Sequence, residues 1–144
     1  MRQYFLAVEE SRDGELFVMK AHDKIHHFLG VVSEPSRQET LEALKSLALE
    51  TMLEYADEGT NPLDLMFVKQ PKNGSIEIYL QDIFPLILRY HRSKKGITQS
   101  VIASKLAMSQ QVYARFERPG SANPTLATIH RLQEVLDEDL LSFA

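Results

Sequence analysis

Residues 98–131, TQSVIASKLAMSQQVYARFERPGSANPTLATIHR, leave little room for anything but three short helices. Thr98 and Ser109 are both of the kind that caps a helix N-terminus, and only a few residues separate the two caps. Ile102 and Leu106 fall four apart after the first cap, so they share an inward face. The small residue Ala103 sits mid-way along that helix, where two helices would cross closely. Ala107-Met108 makes the turn. After the second cap Tyr113 and Phe116 fall three apart and pack inward on the other helices. That leaves Gln110, Gln111, Ala114 and Arg115 pointing out, on a helix that runs to about Glu117. A third, amphipathic helix comes after Pro124. Two short helices joined by a tight turn and closed by a third form a helix-turn-helix, a motif that sets its second helix in the major groove of DNA.

The outward side chains suit that task. Glutamine pairs bidentately with adenine and arginine with guanine, each worth ~1–3 kcal/mol of discrimination. Gln99 opens the preceding helix, where a phosphate would meet backbone N–H groups. Lys94, Lys95 and Lys105 add attraction that no base sequence alters. The candidate DNA-binding residues are therefore Lys94, Lys95, Gln99, Lys105, Ser109, Gln110, Gln111, Ala114 and Arg115. Glutamine is also a common surface helix former, so the motif as a whole carries more weight than any one base assignment.

Charge divides the chain in the same place. From Ile83 to Arg131 the cations are Arg89, Arg92, Lys94, Lys95, Lys105, Arg115, Arg118 and Arg131, and Glu117 is the only acid, for a net +7. The first 80 residues hold fourteen acids against eight Lys and Arg, for a net −6. Acids return at Glu134, Asp137, Glu138 and Asp139, and the total is −4. Such asymmetry implies two halves with two kinds of partner. With no cysteine among 144 residues, disulfides, thiolate zinc sites and a cysteine nucleophile are excluded. The N-terminus MRQYFLAVEESRDG is too charged for a signal peptide, and no run nears the ~20 apolar residues of a bilayer span. The expected setting is the cytoplasm.

The acidic half reads as strands and one helix. Gln3–Val8 and Glu15–Lys20 are two strands around a turn at Ser11–Gly14, and Phe28–Val32 is a third. Ser36 caps a helix with Glu39 completing a capping box, and Gly59 ends it. Leu41, Leu44, Ala48, Met52 and Tyr55 line its apolar face. Residues 59–74 are irregular around a short strand at Leu65–Val68, and Ser75–Leu80 alternates as another strand. Asp82 then caps a helix with Pro85 in its first turn, ending at Lys94-Lys95-Gly96. The expected division is residues 1–80 and 81–144.

Catalytic readings find little support. His22, His26 and His27 cluster near Asp23, but no further ligand completes a metal site, so none is assigned. Glu9, Glu10, Asp13 and Asp23 suggest nuclease carboxylates, yet three of them crowd a hairpin turn, where charges are simply well solvated. There is no Gly-rich phosphate loop and no Gly-x-Ser-x-Gly. No cofactor and no catalytic residue is assigned, and the chain reads as a non-enzyme.

Thr98-Gln99, Ala103, Ala107-Met108-Ser109 and Phe116-Glu117-Arg118-Pro119-Gly120 resemble the pattern of the lambda-repressor or Cro-like family, often called Xre-type. Its turn glycine is Ala107 here, and a positive φ at that point would cost alanine ~1–2 kcal/mol. The order strand-strand-strand-helix before a small DNA-binding domain resembles HicB antitoxins, as do the Ser36 cap, Glu42-Ala43 and the Glu117–Pro124 segment. That likeness implies an α+β fold. An N-terminal antiparallel β-sheet with one packed helix, partly ribonuclease-H-like, precedes an all-α lambda-repressor-like domain. It also implies a type II toxin–antitoxin system. Residues 1–80 would bind a small basic HicA-like ribonuclease, and residues 81–144 would repress the operon at double-stranded operator DNA. Repressors of this class act as dimers, and Leu132, Val135, Leu136, Leu140, Leu141 and Phe143 would either form the homodimer contact or close the helical core. The alternative is a stand-alone repressor whose first half senses a small ligand, which requires a pocket with convergent polar groups.

Overall fold

The computed structural model describes residues 2–144. β1 (Tyr4–Asp13) and β2 (Leu16–His22) form an antiparallel hairpin in which Asp13 pairs with Leu16. The connection is thus only Gly14-Glu15, with Gly14 at φ 61°, as a turn with glycine in its first central position requires. The turn expected at Ser11–Gly14 lies later, because Ser11, Arg12 and Asp13 stay in the ladder opposite Val18, Phe17 and Leu16. β3 (Phe28–Glu34) pairs with β2, and β4 (Ser75–Ile78) pairs with the first half of β1, for the order β3-β2-β1-β4.

The strand expected at Leu65–Val68 is reduced to one bridge. A 3-10 turn occupies Pro62–Leu65, and Phe67 alone exchanges backbone hydrogen bonds with Phe5, at 2.8 and 2.9 Å. Between that turn and Pro71 too little extended chain remains for a ladder.

α1 (Arg37–Asp57) begins where Ser36 Oγ accepts from the Glu39 N–H at 3.0 Å. Its buried stripe is Thr40, Leu44, Ala48, Met52 and Ala56, every fourth residue, with Leu49 beside it. Leu41 and Tyr55, expected on that face, are only half-buried. On the sheet, Leu6, Val8, Met19 and Ala21 are buried as well. Gly30 lets the helix come close, since a Cβ there would stand 2.5 Å from Leu47 Cδ2.

By contacts the chain divides into two compact units, one of residues up to Met52 with Leu63–Tyr79, and one of Leu53–Pro62 with Leu80–Ala144. The second unit is helical. It holds α2 (Leu80–Lys94), α3 (Gln99–Lys105), α4 (Gln110–Ala114) and α5 (Leu126–Leu136), with a 3-10 turn at Arg115–Glu117. Asp82 is not the N-cap of α2. β4 ends at Ile78, the helix starts as soon as strand pairing stops, and Asp82 is buried inside the first turn.

Three helices, α1, α2 and α3, end in one way. The N–H groups of Gly59 and Thr60 return to Ala56 and Tyr55, those of Gly96 and Ile97 to Ser93 and Arg92, and those of Ala107 and Met108 to Ser104 and Ala103. Asp137 closes α5 in the left-handed region, with Glu138 N bonded to Gln133 O. Such paired bonds satisfy the last carbonyls and need a residue at positive φ after the helix. Of the hydrophobic C-terminal residues, Leu132, Leu136, Leu140 and Phe143 are buried within this unit, so they close its core rather than present a dimer contact.

Candidate nucleic-acid interface

Two side-chain caps set the outward face. Thr98 Oγ1 accepts from Val101 N at 3.2 Å and Ser109 Oγ from Val112 N at 3.1 Å, each with extended backbone at the cap. Between the caps, α3 buries Ile102 and Ala103, and Leu106 joins them in the core. Ala107 then reverses the chain at φ 54°. α4 has little more than one turn, so its packing, rather than its own backbone bonds, decides how it is held. Tyr113 is fully buried and meets Phe116 edge to face at 6.2 Å.

Beneath α4 lies a buried polar cluster centred on Glu117, which is 2% exposed. Arg92 of α2 grips its carboxylate with two bonds, Nε to Oε2 at 2.6 Å and Nη2 to Oε1 at 2.9 Å. The Tyr113 hydroxyl donates to the same carboxylate, and Gln99 Nε2 donates to Oε1 at 3.2 Å. Arg92 Nη1 also donates to the Ile97 carbonyl at 2.8 Å. One carboxylate thereby ties together α2, α3, α4 and the 3-10 turn. Burial would lower the Arg92 pKa, but the hydrogen bond and charge of Glu117 carry it above its ordinary value. Burial, then the charge of Glu117, push the Tyr113 hydroxyl up, so it stays protonated as a donor.

A second tie runs to Asp57. Arg89 Nε and Nη2 both reach this carboxylate at 2.9 Å, and Ser93 Oγ donates to it at 2.8 Å. Burial alone would raise the Asp57 carboxyl, but these hydrogen bonds and the charges of Arg89 and Arg92 hold it below the ordinary value.

The helix-turn-helix family model matches residues 88–143. This segment is a helix-turn-helix domain. No curated protein matches the chain. A domain of this kind supports sequence-specific DNA binding and transcription regulation by this segment. Among the described residues, no helix is long and apolar enough to cross a membrane.

On the helix-turn-helix domain, Ser109, Gln110, Gln111 and Arg115 are exposed in one continuous run around α4, with Ala114 half-buried between them. Lys94 and Lys105 are exposed. Lys95 is exposed as well, but its Nζ stands 3.6 Å from Glu138 Oε1. Gln99 is half-buried at the start of α3 and donates one amide N–H to Glu117.

Not every cation of the basic stretch is free for a phosphate. Arg92 and Arg89 count among the eight cations of the basic stretch, yet Arg92 binds buried Glu117 and Arg89 binds Asp57 at the surface. Arg131 Nη2 bonds the Leu106 carbonyl at 2.7 Å. The one signal for the Glu117 centre was its isolation: a lone acid among eight cations is poorly explained as a solvated side chain.

Proposed function

We propose that the chain is the antitoxin of a type II toxin–antitoxin pair. Residues 1–80 bind a small basic mRNA-cleaving ribonuclease of HicA type, and residues 81–144 repress the operon at a specific operator. The observation that carries the reading is the pairing of a helix-turn-helix domain with a separate acid-rich sheet unit. The order β1-β2-β3-α1 is that expected of the partly ribonuclease-H-like domain of HicB antitoxins and supports the same partner. Charge complementarity between an acidic unit and a basic nuclease would speed and orient their association. The repressor acts from the cytoplasm as a homodimer on half-sites about one helical turn, ~34 Å, apart.

In this reading Gln110, Gln111 and Arg115 meet base edges, and Ala114 admits the duplex closely between them. Ser109, Lys94, Lys95 and Lys105 meet the backbone. Gln99 turns its second amide N–H to a phosphate, the first being held by Glu117. Exposure of the α4 run supports the base-reading roles. The competing ligand-sensor reading calls for an enclosed pocket. Two cavities of the first unit, of about 360 and 260 Å³, are open grooves, the larger lined by Glu34, Glu39, Glu42, Ala43 and Ser46.

The test is a pair of measurements on the full chain. With the small basic protein encoded beside it, the chain should form a stable complex in which RNA cleavage stops. With operator DNA, Gln111→Ala or Arg115→Ala should weaken specific binding by about 1–3 kcal/mol and leave nonspecific binding nearly unchanged. Uninhibited cleavage sinks the antitoxin role. Equal loss on all DNA sinks the base-reading roles.

A further inference from the structure

Two unpaired stretches of the sheet, the half of β1 beyond β4 and the outer side of β3, are built differently. Past its pairing with β4, β1 carries Glu9, Glu10, Arg12 and Asp13, and Glu10 is held by Arg37 Nε at 3.1 Å. Charges of this kind blunt an edge against strand addition. β3 reads Phe28-Leu29-Gly30-Val31-Val32-Ser33-Glu34, with no Lys, Arg or Pro. Such an edge presents a row of backbone N–H and C=O groups to any incoming strand. Phe28 and Val31 are 52% and 45% exposed. They lie opposite His22 and Lys20, on the sheet face away from buried Met19 and from α1. At the strand's start Thr51 Oγ1 of α1 donates to the Leu29 carbonyl at 3.2 Å. Toward its end the structure opens into a cavity of about 360 Å³, lined by Glu34 of β3 and by Glu39, Glu42, Ala43 and Ser46 of α1. Among the described residues, neither Glu34 nor Glu39 has a cation at ion-pair distance.

We propose that β3 takes an extended segment of a partner protein as a fifth strand, with Lys or Arg on the side facing α1 and apolar side chains on the other. Side chains of a strand alternate between faces, so one set enters the groove of three glutamates and the other lies beside Phe28 and Val31. The charges select the occupant. A second copy adding its β3 to this edge would bring no cation to Glu34, Glu39 and Glu42, because β3 carries no Lys or Arg. Nucleic acid is repelled, since its phosphates bear the same sign as the groove. The inference rests on the reading that this unit binds a basic protein, and it names the surface and the pattern that the protein must carry.

The test titrates the isotope-labelled full chain with short peptides in which Lys alternates with Val or Thr, and with the same peptides bearing Glu for Lys. Amide shifts and slowed exchange should be confined to Phe28–Glu34 and the first turns of α1, and the Glu peptides should give none. Val31→Lys and, separately, Glu39→Lys with Glu42→Lys should each weaken binding at least about tenfold. Unchanged amide shifts of the buried sheet residues Leu6, Val8, Met19 and Ala21 would report an intact fold. No binding by any Lys peptide overturns the proposal, as do shifts mapping elsewhere, indifference to these variants, or self-association through β3. The two readings fail separately. If Lys peptides dock on β3 and no nuclease is inhibited, the antitoxin role falls and the strand site stands. If a nuclease is inhibited equally well by the Val31→Lys and Glu39→Lys/Glu42→Lys chains, the strand site falls alone.

Discussion

Ala107 holds φ at 54°, in the left-handed region that Cβ sterics disfavour, yet it closes α3 with the same pair of bonds that glycines make after α1 and α2. Its side chain is exposed, so little packing offsets the strain. Ala107→Gly should stabilise the chain by about 1 kcal/mol, raising the melting temperature by about 4 °C with operator affinity unchanged. A fall in urea midpoint would mean that the lost methyl, or the added freedom of the unfolded chain, outweighs the strain. Glu117 behaves in the opposite sense. Removing its carboxylate strands the buried Arg92 charge and the Tyr113 hydroxyl together. Glu117→Ala should cost about 3–5 kcal/mol, whereas the double change Glu117→Leu with Arg92→Met should recover a large part of it. Equal losses for both variants would show that the pair's geometry, rather than relief of its burial, dominates.

At the scale of elements, α2 carries a pH response. The His91 Nδ1 is buried without a hydrogen bond, and Glu138 Oε1 stands 3.8 Å away. Burial lowers the pKa below its ordinary 6.5, the charges of Lys94 and Lys95 act in the same sense, and Glu138 opposes them. A lowered histidine pKa means that the unfolded chain binds the proton first. Stability is therefore full above 6.5 and is lost as pH falls from there through the folded pKa. Urea midpoints should drop between pH 7.5 and 5.5, and His91→Gln should flatten that drop; a slope unaltered by the substitution would put its origin elsewhere. The same helix shows where local reading ends. Caps at Ser36, Thr98 and Ser109 were legible because each needs only its own side chain and the N–H three residues on. Buried stripes were legible from spacing, as at Leu44, Ala48 and Met52. The start of α2 was not, since it is set by where β4 stops pairing with β1. Nor were the partners of Arg92 and Gln99, which lie 25 and 18 residues away in the chain at Glu117. Periodicity sorts inward from outward; it does not say which inward cation meets which inward acid.

For the molecule as a whole, a net charge of −4 means that DNA must be held by a local face rather than drawn by an overall field. The face has fewer free cations than the basic stretch has Lys and Arg, because Arg89 and Arg92 are spent internally. Salt dependence measures the number that remains, since each phosphate neutralised on duplex DNA adds about 0.9 to the slope of log K against log salt. Lys105 is exposed with no acid at ion-pair distance among the described residues, so Lys105→Ala should flatten the slope by nearly one and weaken all sequences alike. Lys95 shares its charge with Glu138 at 3.6 Å and must give up that partner to meet a phosphate. Lys95→Ala should therefore change the slope less than Lys105→Ala does, and Glu138→Gln should steepen the slope of the otherwise unaltered chain. The comparison is decisive because all three variants keep the same fold and the same base-facing run. Identical slopes for the two lysine variants would show that Glu138 releases Lys95 freely, and an unaltered slope for Lys105→Ala would move the phosphate path off the end of α3.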